Sequence, residues 1–116
     1  MEKTLNTWNL GENPQDLFIT EVNFNLCPSD REFLLLRLER LQNLAPAFST
    51  FHLWLKKKGR FFFAHLQVYA YQKTFQTQLH KKSVKELTLA LEEEMTQQFH
   101  NWKLKRFKPQ NETRSL

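Results

Sequence analysis

The sequence predicts a two-layer α+β domain of order β-α-β-β-β-α, a four-stranded mixed sheet with both helices on one face. Three observations lead there. Four segments alternate apolar and polar residues with the period of two that a half-buried strand shows. Two further segments carry apolar residues at helical spacing, each behind a Ser-x-x-Glu sequence that reads as a capping box. The first strand reaches the second only through a helix, which makes that pair parallel, whereas the later strands are joined by short turns and must be antiparallel. A chain of 116 residues is one domain, and at this size a two-layer core folds without disulfides or metal.

The elements follow in order. Residues 1–15 contain Gly11 and Pro14 and lack clear periodicity, so they read as a loose leader before a domain over 16–108. From Leu17 to Leu26, Phe18, Thr20, Val22, Phe24 and Leu26 share one face, and Glu21, Asn23 and Asn25 the other. Cys27-Pro28 breaks that strand, and Ser29 with Glu32 forms the first capping box. Leu34, Leu38, Leu41 and Ala45 line the helix behind it, and Pro46 ends it. The second strand, Phe48 to Lys56, points Phe51, Leu53 and Leu55 one way and His52 and Trp54 the other. Lys57-Lys58-Gly59 is a turn. The third strand, Arg60 to Gln72, sends Phe62, Ala64, Leu66, Val68 and Ala70 inward, and the fourth does so with Phe75, Thr77 and Leu79. Ser83 and Glu86 form the second capping box, opening a long helix with a core stripe of Val84, Leu87, Leu91, Met95 and Phe99 and Trp102 near its end. Pro109 closes it, and 109–116 read as a frayed tail.

Charge is distributed unevenly. The whole chain carries +5, yet residues 31–116 alone carry sixteen bases against seven acids. Between Arg40 and Lys85 there is no carboxylate, while nine Lys or Arg residues fall in that span with its two ends counted. A field of one sign is suited to a polyanion, most commonly a phosphate backbone. The topology sorts these cations into two ends. One end gathers Arg31, Lys56, Lys57, Lys58, Arg60, Lys81, Lys82 and Lys85; the other gathers Lys73, Lys103, Lys105, Arg106 and Lys108, with Arg37 and Arg40 on the lower half of the first helix. Bases at a helix C-terminus are explained by the helix dipole. Lys81 and Lys82, just before a helix N-terminus, are not, and that favours an anionic partner.

A second candidate surface is the outer sheet face, where Trp54, Phe61, Phe63, Tyr69 and Tyr71 point away from the helices. Such rings stack unpaired bases, form a protein–protein or dimer contact, or are covered by the leader with Trp8 and Leu10. Catalysis finds no support: Gly11 and Gly59 are the only glycines, so no phosphate-cradling loop exists. Cys27, the single cysteine, reads as a small buried residue in a reducing compartment. His52 and His65, facing each other across the hairpin, are too few for a zinc site, and His80 and His100 read as solvated. No cofactor, metal or small-molecule substrate is expected. No stretch is long and apolar enough for a membrane span and the start is no signal peptide, so a cytoplasmic monomer or weak dimer is expected.

Arg31-Glu32-Phe33 followed by Arg37, Arg40 and Leu41, together with the long last helix bearing Gln98-Phe99 and ending in Lys103 and Lys105, resembles the ribosome hibernation-promoting factor family, also called ribosome-associated inhibitor or sigma-factor modulation proteins. The resemblance covers about residues 17–108 and rests on element order and lengths more than on a sharp motif. It implies a double-stranded-RNA-binding-like fold with an extra first strand. It implies a factor that binds small-subunit ribosomal RNA in the messenger and transfer RNA channel, silencing idle ribosomes as a stress response. Arg37, Arg40 and the basic end of the last helix would contact phosphates. The chain resembles the short form of the family. It departs where members carry bases along the middle of the last helix: Glu94, Gln97 and Asn101 stand there, beside Glu92 and Glu93. The positive charge has moved to Lys81 and Lys82 instead.

Overall fold

A computed structural model describes residues 5–9, 17–70 and 73–107, with side chains described over 17–70 and 73–105. The elements are β1 (Leu5–Asn9), β2 (Leu17–Val22), α1 (Pro28–Leu44), β3 (Thr50–Lys58), β4 (Phe61–Ala70), β5 (Lys73–Lys81) and α2 (Val84–Phe107). The strands form one sheet in sequence order. β2 and β3 are parallel, and every other neighbouring pair is antiparallel. The β-α-β-β-β-α domain with its four-stranded mixed sheet and two helices is therefore present. The leader, read as loose, contributes an additional edge strand: Leu5 to Asn9 pair with Val22 to Phe18. Leu10 and Tyr71 lie outside the described residues, as does the tail from 108.

Alternation decides the faces. Phe51, Leu53 and Leu55 of β3, Ala64, Leu66 and Val68 of β4, and Phe75 and Thr77 of β5 are buried under the helices. α1 supplies Leu34, Leu38 and Leu41, and α2 supplies Val84, Leu87, Leu91, Met95 and Phe99. The Phe99 ring lies edge-on to Phe75 at 5.0 Å and to Phe51 at 6.4 Å, so three aromatics interlock at the centre. The helices run the same way. Lys85 lies over the ring of Phe33, Arg37 and Arg40 meet Glu92, and further along Leu44 shares a groove with His100. Gln98 donates to the Gln76 carbonyl at 2.9 Å, tying α2 to the edge strand β5 and blunting that edge.

Three local expectations are corrected. The first strand is half a period out of phase: Leu17, Ile19 and Glu21 face the core, with Ile19 and Glu21 at 0% exposure, while Thr20 is buried on the other face beside His52. The strand also stops at Val22, because Asn23 adopts a left-handed φ of 64° and resets the alternation for Phe24 and Leu26. The buried carboxylate has a purpose in this turn. It accepts the Leu26 backbone N–H at 2.7 Å and lies 3.8 Å from the Arg31 guanidinium. The first capping box does not form. Helix α1 starts two residues earlier, with Pro28 at its first turn and Cys27 in place of Ser29 as the cap residue, since Pro needs no N–H partner there. Cys27 is exposed rather than buried. The second box is half realised, the Ser83 hydroxyl accepting the Glu86 N–H at 3.1 Å.

Candidate nucleic-acid interface

The β3–β4 hairpin is tighter than the sequence suggests. Lys57 and Lys58 belong to β3, and only Gly59 and Arg60 form the loop, since Lys58 pairs with Phe61. Gly59 has φ +63°, the conformation that the first loop residue of a type II′ turn demands. Ladder register then brings distant bases together. Lys57 pairs with Phe62, which pairs with Lys81, and Lys56 pairs with Phe63, which pairs with His80. Lys56, Lys57, Lys58, Arg60, Lys81 and Lys82 thus share one end of the sheet, all exposed. Lys85 follows in the first turn of α2, and Arg31 lies in the first turn of α1 beside Glu21. Rings support part of this array, with Lys57 5.4 Å from the Phe62 centroid and Lys56 6.0 Å from Phe63.

The other end holds fewer described cations. Lys73 opens β5, and Phe75 beside it meets Trp102 at 6.1 Å, which places Lys103 and Lys105 near that strand's start. The side chain of Arg106 lies outside the described residues. At the helical rise, Lys85 and Lys103 are about 27 Å apart, several Debye lengths at physiological salt. The two ends therefore act on a polyanion as separate charges.

Arg37 and Arg40 stand between those ends, and they are engaged. Glu92 accepts from Arg37 at 2.9 Å and lies 3.5 Å from Arg40 through its other oxygen. Glu92, one turn or less from Glu94 on α2, is thus a clasp between α1 and α2. Beside it runs a groove of about 700 Å³ lined by Arg40, Asn43, Leu89, Glu93, Gln97 and His100. Glu93, Glu94, Gln97 and Asn101 are exposed along α2. The sequence held the signal for this pairing, since both helices run the same way from adjacent starts, but the contact itself depends on their relative shift.

The outer face is a continuous aromatic and polar surface. The His52 ring stacks on Trp54 at 3.8 Å, and Trp54 lies 5.3 Å from His65 across the ladder. His52 and His65 do not oppose each other, because Trp54 is the residue opposite His65. His80 stacks on Phe63 at 5.2 Å and lies edge-on to Phe61 at 5.4 Å, so it belongs to this surface although exposed. Tyr69 donates to the Gln67 side chain, and Gln67 and His65 both reach the Gln76 amide oxygen at 3.3 Å. Partial burial disfavours the charged form of His52 and holds its pKa below 6.5. Among the described residues, no group of three or more His, Cys, Asp or Glu side chains comes together to hold a metal, and no helix is long and apolar enough to cross a membrane.

Comparison with solved structures bears on this arrangement. A ribosomal subunit interface protein from Coxiella burnetii superimposes with a TM-score of 0.65 over 76% of this chain and 97% of that one, at 15% identity. The N-terminal domain of Protein Y from Thermus thermophilus superimposes with a TM-score of 0.52 over 70% and 92% of the two chains, at 16% identity. The fold is that of these two proteins. No family model and no curated protein sequence matches the chain. The likeness is one of architecture, since about five in six of the superimposed residues differ.

Proposed function

We propose that this chain is a non-enzymatic ribosome-associated factor that binds small-subunit ribosomal RNA and silences idle ribosomes. The observation that carries the reading is the basic end of the sheet, in which the ends of β3 and β5, on either side of β4, and the hairpin loop present Lys56, Lys57, Lys58, Arg60, Lys81 and Lys82 together. The fold shared with a ribosomal subunit interface protein supports the ribosome as the source of that polyanion. Phosphate contacts of this kind bind by releasing counterions, so affinity is set by salt more than by sequence. With Glu92 holding Arg37 and Arg40, the hairpin end takes the leading part in docking and the two arginines a lesser one.

The test is co-sedimentation of the purified protein with small ribosomal subunits across a salt series. Roughly six phosphate contacts cost about a thousandfold in affinity between about 50 mM and about 200 mM salt. Charge reversal at Lys81, Lys82 and Lys85 should release the protein from the pellet at lower salt than reversal at Arg37 and Arg40. A flat salt response, or two variants that bind as the parent does, refutes the reading.

A further inference from the structure

We infer that the outer sheet face is a second, independent RNA surface, one that binds unpaired nucleotides by stacking. The site is the groove of about 530 Å³ between two neighbouring ladder rows. One row is Trp54, His65 and Gln78; the other is Lys56, Phe63 and His80. The groove lies on the opposite side of the sheet from both helices, so it is distinct from the helix-side groove along Glu92.

Four features of this face fit single-stranded RNA. Aromatic rings flank the groove, with Trp54 on one row and Phe63 on the other, and every nucleobase has a π-face to offer them. Gln78 and His65 supply hydrogen-bonding groups between the rings, suited to the edge of an unpaired base. Lys56 stands at the rim on the way to Lys58 and Arg60, where a sugar-phosphate chain leaving the groove would run. Lastly, the outward positions of β2 to β5 hold no Asp or Glu at all. They are Phe18, Thr20 and Val22, then the even-numbered residues of β3 from Thr50 to Lys58, the odd-numbered ones of β4 from Phe61 to Tyr69, and the even-numbered ones of β5 from Thr74 to His80. The one carboxylate in these strands, Glu21, is buried on the other face.

The alternatives account for less. Residues 5–9 extend the sheet at its β2 edge instead of crossing this face. A second copy packed sheet to sheet would bury three imidazoles and the Gln67, Gln76 and Gln78 amides in a dry layer, where polar groups are costly unless each finds a partner. Nucleobases bring both stacking surface and hydrogen-bonding edges, and their backbone matches the positive rim.

The test uses the full chain and a short fluorescein-labelled oligouridylate, with an RNA duplex as the comparison. The protein should bind the single strand in preference to the duplex. Trp54→Ala should weaken that binding roughly tenfold, the loss expected for one base–aromatic stack, while Trp54→Phe retains most of it. A reporter carrying Trp8→Phe and Trp102→Phe, in which Trp54 is the remaining tryptophan, should be quenched on saturation with the unlabelled strand; this readout does not depend on how well Trp54→Ala folds. Unchanged affinity in a folded Trp54→Ala variant, or an unquenched reporter, overturns the inference. So does a concentration-dependent dimer in sedimentation velocity that Trp54→Ala dissociates, because the occupant is then a second copy. Charge reversal at Lys81, Lys82 and Lys85 is run in parallel, so that loss of subunit binding and loss of single-strand binding are scored separately.

Discussion

Replacing Glu92 with glutamine isolates the role of the two arginines on α1. Glu92 is largely shielded, with 17% of its side chain exposed, and Arg37 is 30% exposed at 2.9 Å. Arg40 is 66% exposed at 3.5 Å, so its half of the clasp is worth only a few tenths of a kcal/mol. The shielded half contributes more, and together the pair stabilises the helix contact by about 1 kcal/mol. A phosphate approaching Arg37 and Arg40 must displace that carboxylate or share the arginines with it. A neutral amide in its place would remove the competition, worth a factor of about five for 1 kcal/mol. It would also remove a like charge about 6 Å from the phosphate, worth about 0.7 kcal/mol in water. Glu92→Gln should therefore raise affinity for small subunits nearly twentyfold, for about 1.7 kcal/mol, at low salt. If both arginines become new phosphate contacts, the slope of log affinity against log salt should steepen by about 1.8. The gain should vanish when Arg37 and Arg40 are also changed to Ala. The assay is equilibrium co-sedimentation over a salt series, with a thermal melt to check that the fold survives. A folded Glu92→Gln variant that binds no better than the parent, with an unchanged slope, refutes any phosphate contact by Arg37 and Arg40.

Three further outcomes test the fold. Phe99→Ala removes the ring that meets both Phe51 and Phe75 and should cost about 3–5 kcal/mol in chemical denaturation, against less than about 1.5 kcal/mol for Phe99→Leu if the site repacks. Glu21→Ala strands the Leu26 N–H in the β2–α1 turn, and a loss of about 1–3 kcal/mol by denaturant melts should exceed that of any exposed acid on α2. His52 carries a pKa lowered by burial, so its neutral form is favoured in the folded state. Its contribution is complete above 6.5 and is lost as pH falls through the lowered folded value. The melting temperature should drop between about pH 7 and about pH 5, and His52→Gln should shrink that drop; an identical pH profile in the variant refutes the assignment.

The architecture is legible because its signals are redundant. In β4 apolar residues recur at every second position from Phe62 to Ala70, and its neighbours repeat the phase at Phe51, Leu53 and Leu55 and at Phe75 and Leu79, so one misread residue cannot flip the pattern. β2 is only six residues long and ends at a left-handed Asn23. A phase taken from Phe24 and Leu26, which lie beyond the reversal, puts Glu21 outside when it is fully buried. A charged residue on the core face is invisible to hydrophobic periodicity, because its partners are a backbone N–H five residues on and an arginine in the next element. β1 escapes notice for a related reason. Its pairing to β2 is set by an edge left open in the sheet, not by any alternation of its own. The grouping of Lys57 and Lys81 follows from topology alone, whereas the Glu92 clasp requires the relative shift of two helices, which no local pattern encodes.

The placement of acids gives the two surfaces a common physical origin. Among the described residues, carboxylates occur at Glu21, on α1, and on α2, and nowhere in β3, β4 or β5. Glu21 is buried, which removes its charge from either surface. Every exposed acid among the described residues therefore rides on a helix, and the sheet separates the helices from the outer face. A polyanion approaching the helix layer meets Glu93 and Glu94 as well as bases, so only the ends of that layer attract it. A polyanion approaching the outer face meets no carboxylate, and at the hairpin end the six bases of β3, the loop and the β5 end outnumber Asp30, Glu32 and Glu86 in the first turns of the helices. If Glu93→Lys and Glu94→Lys together fail to increase binding to small subunits, the repulsion from α2 is not what directs docking, and the basic hairpin end must be selecting its partner by shape.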